Sequence, residues 1–462
     1  MIEQIKSVVL FLLVASSLLL TYALWTYQPD FEPIEQTEYI TQSKLDGEEK
    51  SVREVVFPNQ IIIHDYQTHK RLESKQDEKD FYEEFLNWDF SSLTIPTSNH
   101  YVLEQYMQQT ELEQWESKNQ YQSIEIQYPV SIPMDMINYM YSVNTENQNY
   151  SQSFNKVFLH LQDSTKEIKV AFVSDEEGES DVLVGEIQSS SAYQRLEELI
   201  NQQDDMVYLK GFEFKEGQTI YLPTEEIAMN GYTLLTESFD AATMVNALFR
   251  DPSVVRQTLT NAPNVRTHYT DGSRALKTYQ ILNNEAEQME FINPLSNDLE
   301  QSNPTEMIRR SVNLTNVHLG WTNDYQLDEI QKQPSSAVLY RMYYDGYPVY
   351  HDKGVTTMEQ VWGNNELNKL KRPLFKLIED EAISVKENVL PSGDSIYQTI
   401  ESLSERITLN SIEQVKLGYT LKAKTSPSSQ VITLEPEWYI KLEGSWQPMS
   451  QFNDMLMNQG VE

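Results

Sequence analysis

The stretch SVVLFLLVASSLLLTYALWTYQPDFEP, residues 7–33, determines how the rest of the chain is interpreted. No charged side chain occurs from Ser7 to Pro29, and the apolar part up to Trp25 would span about 30 Å as a helix, which matches the hydrocarbon core of a bilayer. An export leader usually has a shorter apolar core, of about 7–15 residues, and small residues at its cleavage site. The best cleavage candidate here, residues 21–23 (Thr-Tyr-Ala), is a poor match. We therefore predict an uncleaved transmembrane anchor over residues 7–27, with a cleaved leader as the alternative.

The residues around this segment predict its placement in the membrane. Trp25 and Tyr27 are expected at the membrane interface, where aromatic side chains concentrate. Lys6 precedes the segment, whereas the residues that follow it are acidic up to Lys44: Asp30, Glu32, Glu35 and Glu38. Because basic residues stay on the cytoplasmic side, we expect a single-pass protein of the cell membrane with a short cytoplasmic tail, residues 1–6. The bulk of the chain would be extracytoplasmic, raised on an acidic stalk, residues 28–50.

Composition favours a folded exterior and excludes one class of partner. The 462 residues include 70 acidic and 35 basic side chains, a formal net charge of -35, so the surface would repel phosphate backbones and nucleic-acid binding is not expected. Hydrophobic residues make up 39%, enough for packed cores rather than global disorder. There is no cysteine, so burial and not disulfides must hold the exterior together, as is plausible on the outer face of a single-membrane bacterium.

Local patterns predict the elements of this exterior. Phe81, Phe85 and Trp88 share one face of an amphipathic helix over residues 77–88. Further helices are predicted over residues 191–202, 240–252, 305–317 and 395–407. The segment REVVFPNQIIIHD, residues 53–65, is predicted to form two short strands around Pro58.

The order of these elements predicts the fold class. Helices and strands are mixed without a strand-helix-strand rhythm, which indicates an α+β fold with mostly antiparallel sheets. Asp-Gly pairs at residues 271–272 and 345–346 are flanked by strand-like runs and predict tight hairpins. The similar surroundings of the two pairs suggest related modules. We predict three extracytoplasmic domains: an N-terminal domain (51–206), a middle domain (207–303) and a C-terminal domain (304–462).

No motif in the sequence predicts catalysis or a cofactor. The acidic run DEEGESD, residues 175–181, has the alternation of a calcium loop, but Ser180 stands where such a loop needs glycine, so a solvated hairpin turn is the preferred interpretation. Ser153 and Lys156 match S-x-x-K, yet the S-D-N and K-T-G elements of penicillin-binding enzymes are absent. The seven histidines do not form a zinc motif and are interpreted as surface or packing residues: His64, His69, His100, His160, His268, His318 and His351. We predict a protein that is not an enzyme and has no cofactor or metal.

Two kinds of binding remain. Ser17 and Thr21 are four residues apart in the predicted anchor, and such small residues let a second membrane helix approach closely. With only about six residues predicted in the cytoplasm, a signalling role would have to use the anchor or the exterior domains. The alternative is an extracytoplasmic wall-glycan-binding protein whose tyrosines, 27 in all, stack on sugars, although tyrosine also favours half-buried strands. An envelope hydrolase is a more distant alternative.

The opening of the chain also resembles that of the YycH (WalH) family of two-component system regulators. The resemblance rests on a basic start, the apolar segment and an exit that matches W-T-Y-x-P-D-[FY]-E at Trp25 to Glu32, and the late YYDGYPVY hairpin agrees with it. It implies a non-enzymatic protein that binds a WalK (YycG)-type sensor histidine kinase together with a YycI-type regulator and thereby tunes cell-wall metabolism. It also implies three α+β domains, the last two similar to YycI. A homo-oligomer is compatible with all of this.

Overall fold

The computed structural model describes most of the chain from residue 44 onward and four residues before it. The described residues are 10, 13, 16–17, 44–94, 122–143, 152–162, 165–174, 182–215, 218–259, 265–282, 286–294, 303–332, 335–363, 366–378, 382–403, 407–423 and 430–452. The chain divides into two compact units, Met1–Thr41 and Gln42–Glu462. In the first unit Leu10, Leu13, Ser16 and Ser17 are helical and exposed. Among the residues just given, no helix is both long enough and apolar enough to cross a membrane.

The first half of the second unit forms one large sheet and a short strand pair. The strands are β1 (Gln60–Asp65), β2 (Thr68–Leu72), β3 (Asp89–Phe90), β4 (Ser92–Thr94), β5 (Gln122–Pro133), β6 (Ser142–Val143), β7 (Ser153–Gln162), β8 (Glu167–Val173), β9 (Leu183–Ile187), β10 (Met206–Lys215) and β11 (Gln218–Pro223). Within the described ranges, nine of them pair in the order β11-β10-β2-β1-β5-β7-β8-β9-β4, each antiparallel to its neighbour. Strands β3 and β6 pair in parallel beside this first sheet.

The second half forms a larger sheet. Its strands are β12 (Ile227–Ser238), β13 (Arg256–Leu259), β14 (Val265–Thr270), β15 (Ala275–Leu282), β16 (Ala286–Ile292), β17 (Asp324–Gln331), β18 (Ser336–Tyr344), β19 (Tyr347–Tyr350), β20 (Thr357–Trp362), β21 (Leu367–Pro373), β22 (Phe375–Ile378), β23 (Ser384–Leu390), β24 (Ile412–Ala423), β25 (Val431–Leu442) and β26 (Ser445–Pro448). The main path is β13-β14-β15-β16-β21-β20-β18-β19-β24-β25-β12-β22, and β17, β23 and β26 pair with β18, β12 and β25. A parallel pairing of β19 with β24 joins the two parts of this second sheet.

Most of the helices begin at a capping side chain, and the short helix that follows Met136 does not. The described helices are α1 (Val52–Val55), α2 (Lys75–Leu86), α3 (Ile137–Met140), α4 (Ser190–Asn201), α5 (Ala241–Leu248), α6 (Pro304–Val317) and α7 (Gly393–Ser402). Ser74, Ser189 and Ser392 each accept a hydrogen bond from a backbone N–H of the first turn that follows, and Asn303 does the same ahead of Pro304. The five long helices expected from the sequence are therefore present, with ends that differ by a few residues.

Three local predictions have different outcomes. The segment 53–65 was expected to contain two strands, but its first part is helix α1, because Ser51 and Glu54 form a capping box that starts a helical turn. The Asp345–Gly346 hairpin is confirmed: both residues have positive φ, 50° and 73°, between β18 and β19. The Asp271–Gly272 pair lies in a longer connection, since β14 ends at Thr270 and β15 begins at Ala275.

The core lies between the sheets and the helices and brings the two halves together. Phe81 and Phe85 of α2 are fully buried, as the predicted apolar face requires, and Trp88 follows them with its ring 5.7 Å from that of Phe85. Strand β17 of the second sheet packs against β5 of the first. The two sheets therefore meet within one compact unit, and a cleft remains along their junction.

Candidate functional site

A cleft of about 450 Å³ lies at the junction of the two sheets. One wall comes from the first sheet, with all of β11 and the middle of β5, and from the start of α2. The other wall comes from β17, β24 and the hairpin between β18 and β19. This volume is within the range of small-molecule sites, and the cleft is the candidate site of the second compact unit.

Irregular backbone shapes both walls. The pairing register shifts in β5 between Gln127 and Ile132, and the residues between them line the cleft. Register shifts in β17 and β24 likewise occur next to Asp328 and at Glu413. Such bulges re-aim side chains and are common beside functional sites.

Hydrogen bonds across the cleft hold the walls together. Gln218 Nε2 of β11 donates to the carbonyl oxygen of Glu413 at 3.0 Å. In return, Gln414 Nε2 of β24 donates to the carbonyl oxygen of Pro129 in β5 at 3.2 Å. Because each sheet donates one side-chain amide to the backbone of the other, the cleft is a built feature of the fold and not an accidental gap.

The wall from the second sheet contains a buried charge cluster, Asp328, Arg341 and Lys416, one residue from each of β17, β18 and β24. Both Nε and Nη2 of Arg341 approach Asp328 Oδ2, at 2.8 and 2.6 Å, and Lys416 Nζ lies 4.0 Å from Asp328 Oδ1. The Asp328 carboxylate therefore compensates the charge of two buried cations, Arg341 and Lys416. Burial alone would raise the pKa of Asp328, but the positive charges of Arg341 and Lys416 outweigh that effect and hold its pKa below the usual value.

Aromatic rings surround the two cations of this cluster. The Arg341 guanidinium lies 4.4 Å from the ring centre of Tyr350, which stacks on Tyr439 at 3.9 Å. The Lys416 ammonium lies 4.2 Å from the ring centre of Trp446. Burial lowers the pKa of Lys416 to about 7, since Asp328 offsets the loss of hydration only in part.

The wall that includes α2 repeats the pattern of two cations to one carboxylate. Lys75 Nζ lies 2.5 Å from Glu78 Oε2, and Arg71 Nη1 lies 3.7 Å from Glu78 Oε1. The Glu78 side chain is only 4% exposed. Gly346 of the confirmed hairpin lies directly against Lys75: a Cβ added to Gly346 would be 2.5 Å from the Lys75 Cβ.

A histidine cluster on the first sheet was not expected from the sequence. His64 and His69 are opposite each other in the β1–β2 hairpin, with their Nδ1 atoms 2.8 Å apart, and His64 Nε2 lies 3.0 Å from Glu125 Oε2. Burial would raise the pKa of Glu125, but Lys156 and His64 lower it to about 2. The sequence did contain a signal, because residues five apart face each other when a two-residue turn (Tyr66-Gln67) joins their strands. Across the described ranges, no group of three or more His, Cys, Asp or Glu residues is suited to hold a metal ion.

The residues singled out in the sequence do not meet in the cleft. Ser17 belongs to the first compact unit, and Thr21, Trp25 and Tyr27 lie outside the described residues, so the helix-contact face and the interface anchors stay predictions. The acidic run 175–181 also lies outside the described residues. The S-x-x-K pair lies on β7, where residues three apart point to opposite faces, so the strand does not bring Ser153 and Lys156 together for catalysis.

Sequence reasoning also missed the residues that build the cleft. Asp328, Arg341 and Lys416 are separated by 13 and 75 positions in the chain and meet only because β17, β18 and β24 come together in the second sheet. No spacing rule within one helix or strand could have linked them.

Comparisons with known proteins match most of the length of the chain. The family described as YycH protein, N-terminal domain, matches residues 3–205, and the one described as YycH protein, C-terminal domain, matches residues 217–455. The chain is 26% identical over 479 residues to the two-component system WalR/WalK regulatory protein YycH of Bacillus subtilis (strain 168), covering 99% of this chain and 98% of the relative. Its structure is similar to the crystal structure of YycH from Bacillus subtilis, with a TM-score of 0.70, 22% identity and coverage of 88% of this chain and 99% of that one. The mixed α+β fold with mostly antiparallel sheets is thus confirmed.

Proposed function

The chain belongs to the YycH family, and from this membership we propose that it regulates a two-component system of the WalR/WalK type by modulating the sensor histidine kinase. The family consists of regulatory proteins, so the chain is a regulator and not an enzyme. The observation that carries the proposal is the match to a two-component regulatory protein over nearly the full length of both chains. A match restricted to one segment of the chain would not support this proposal.

The proposal includes a membrane anchor over residues 7–27, with the bulk of the chain extracytoplasmic. The absence of charge from Ser7 to Pro29 and the acidic residues that follow support this placement. With about six residues in the cytoplasm, contact with the kinase would use the membrane helix, the exterior domains or both. Ser17 and Thr21 are the proposed contact face, because small residues permit close helix packing in lipid.

The proposal also includes a YycI-type partner outside the membrane. The three-domain division at residues 51–206, 207–303 and 304–462, with the last two domains similar to YycI, stays a prediction. The process that this two-component system controls would be cell-wall metabolism.

Phosphorylation of the response regulator tests the proposal. In cells that lack the gene for this chain, the phosphorylation level of the response regulator should differ from the wild-type level. Expression of the full-length chain should restore the wild-type level. A Ser17→Leu/Thr21→Leu variant should reach normal membrane levels but fail to restore the wild-type level, because the span stays hydrophobic while the packing face is changed.

A matched control is available within the same span. Ser16 and Ala23 would lie on a different side of a helix from Ser17 and Thr21, with the centres of the two pairs about 130° apart, since each residue turns the helix by about 100°. Ser16→Leu/Ala23→Leu should therefore restore regulation. Equal restoration by both double variants would contradict the helix-contact part of the proposal, and unchanged phosphorylation after gene deletion would contradict regulation itself. Retention of the chain on insoluble cell wall, with no effect on phosphorylation, would favour the glycan-binding alternative.

A further inference from the structure

The cleft between the two sheets carries more positive charge than its own carboxylates balance. On one wall, Asp328 serves Arg341 and Lys416, and on the other, Glu78 serves Arg71 and Lys75. Of these residues, Arg71, Lys75, Asp328 and Lys416 line the cleft itself, whereas Arg341 and Glu78 do not. Lys156 and Lys441 also line it, and they pair with Glu125 and Glu413. Glu329 also lines the cleft, but it is exposed to solvent. An excess of positive charge on the walls of a cleft is unusual for a chain with net charge -35.

Lys416 is the least satisfied of these cations. Its side chain is 13% exposed, but its ammonium nitrogen is inaccessible, and no hydrogen-bond acceptor among the described residues is within reach of that nitrogen. An ammonium group has three donors, and leaving them unused in a buried place is costly. Lys75 on the opposite wall is close enough to lower the pKa of Lys416 further. Two like charges therefore face each other across the cleft.

Two buried acceptors lie on the walls of the same cleft. Asn59 Oδ1 and Gln414 Oε1 have no donor partner among the described residues. Gln414 and Lys416 are two residues apart on β24, so their side chains lie on the same face of the strand. The cleft thus offers cations for an anionic group and acceptors for hydroxyl or amide donors.

We propose that the cleft binds a small organic acid, a carboxylate or phosphate that also carries hydroxyl or amide groups, with its anion placed between Lys75 and Lys416. The Lys416 ammonium and the two acceptors, Asn59 Oδ1 and Gln414 Oε1, are buried in this structure, so binding requires these side chains to turn toward the cleft. The anion would then supply the acceptors that the Lys416 ammonium lacks and would balance the excess charge of both walls. The aromatic side chains of the cleft, Tyr347 and Trp438 among them, would contact the body of the ligand. This site goes beyond regulation of a kinase, and its test needs only the purified chain.

Binding should be coupled to proton uptake. A bound anion favours the charged form of Lys416. Without the ligand, the pKa of Lys416 depends on its burial and on the groups that face it: Asp328, Arg341, Lys441, Lys75 and the ring of Trp446. Above neutral pH a part of Lys416 is uncharged before the ligand binds, so binding takes up protons and affinity falls as the pH rises.

Calorimetric titration of the full-length protein in detergent tests the site. The probes are inorganic phosphate, acetate and glucuronate, with glucose as the uncharged control, all at constant ionic strength. We expect millimolar or tighter binding of the anionic probes, tightest for glucuronate because it adds hydroxyl donors, and no binding of glucose. Lys416→Met should weaken binding about tenfold or more. Lys422→Met, which changes an exposed lysine of the same strand, should leave binding unchanged.

The remaining outcomes separate a ligand site from a structural lysine. Without any probe, Lys416→Met should unfold at the same or a higher denaturant concentration, because it removes an excess cation from a buried cluster. Titration in two buffers of different ionisation enthalpy should show proton uptake above pH 7 in the wild type only. If no anionic probe binds the wild-type chain, if glucose binds equally, or if Lys416→Met binds as the wild type does, the proposal is wrong.

Discussion

Replacing Asp328 with Asn removes the one carboxylate that two buried cations share, so it tests the charge cluster directly. The Asp328 side chain is 4% exposed, with Arg341 nitrogens 2.6 and 2.8 Å away and the Lys416 ammonium 4.0 Å away. Breaking a buried ion pair by removing one partner costs about 3–5 kcal/mol, because it leaves a buried charge uncompensated. Here two charges would be left, so we expect a loss at the upper end of this range.

A second substitution should recover part of this loss. Lys416→Met in the Asp328→Asn background removes one of the two uncompensated cations and keeps an apolar side chain of similar length beside Trp446. The double-mutant cycle should give a coupling free energy of about 1–3 kcal/mol, as is found for residues in one ion-pair network.

Chemical denaturation followed by circular dichroism measures these free energies. Glu435→Gln is the matched control: it breaks the Lys422–Glu435 pair on the neighbouring strands β24 and β25, whose side chains are 56% and 54% exposed, and should cost under about 1 kcal/mol. If Asp328→Asn costs no more than this control, the cluster is not buried as described and the reasoning is refuted.

Three further perturbations address other parts of the molecule. Burial lowers the pKa of His69 and of His160 to about 4, so the unfolded chain binds more protons than the folded chain between about pH 4 and 6.5. The free energy of unfolding should therefore rise with pH across this window, by up to about 3 kcal/mol per histidine. A His69→Gln/His160→Gln variant should flatten this slope in denaturation curves. Gly346→Ala should cost more than Gly272→Ala, because both glycines have positive φ (73° and 93°) but only Gly346 has a neighbour in the space of the new Cβ; we expect about 2–3 against about 1 kcal/mol, and equal losses would refute the tight contact. Ser153→Ala at normal expression should leave phosphorylation of the response regulator unchanged, since Ser153 lies on the opposite face of β7 from the lysine of its S-x-x-K motif.

Local elements were predictable because their determinants lie within a few residues. The helix at residues 77–88 has a strong apolar face, and the observed α2 starts slightly earlier because Ser74 caps it. The Asp345–Gly346 hairpin followed from a two-residue pattern with a single physical cause, the positive φ that glycine accepts. Helix α1 was missed because apolar β-branched residues outweighed a capping box of only two side chains, Ser51 and Glu54.

The candidate site was not predictable, because it depends on strand pairings between distant segments. Strand β12 pairs with β22, β23 and β25, up to about two hundred positions later, and β24 reaches β19 through a parallel pairing. Lys416 reaches Asp328 through the pairings of β24 with β19, β19 with β18 and β18 with β17. A lysine in an alternating strand pattern gives no sign in the sequence that its ammonium will be buried.

Reconstitution with the kinase shows most directly whether this protein regulates it. The full-length chain and the sensor kinase of its own organism would be placed in the same proteoliposomes, and the rate of phosphate transfer to the response regulator would be measured with and without the chain. We expect a changed rate when the chain is present, and the same rate as without the chain when Ser17 and Thr21 are both replaced by leucine. An identical rate with and without the wild-type chain, with both proteins inserted in the bilayer, would contradict the claim that this protein regulates the kinase.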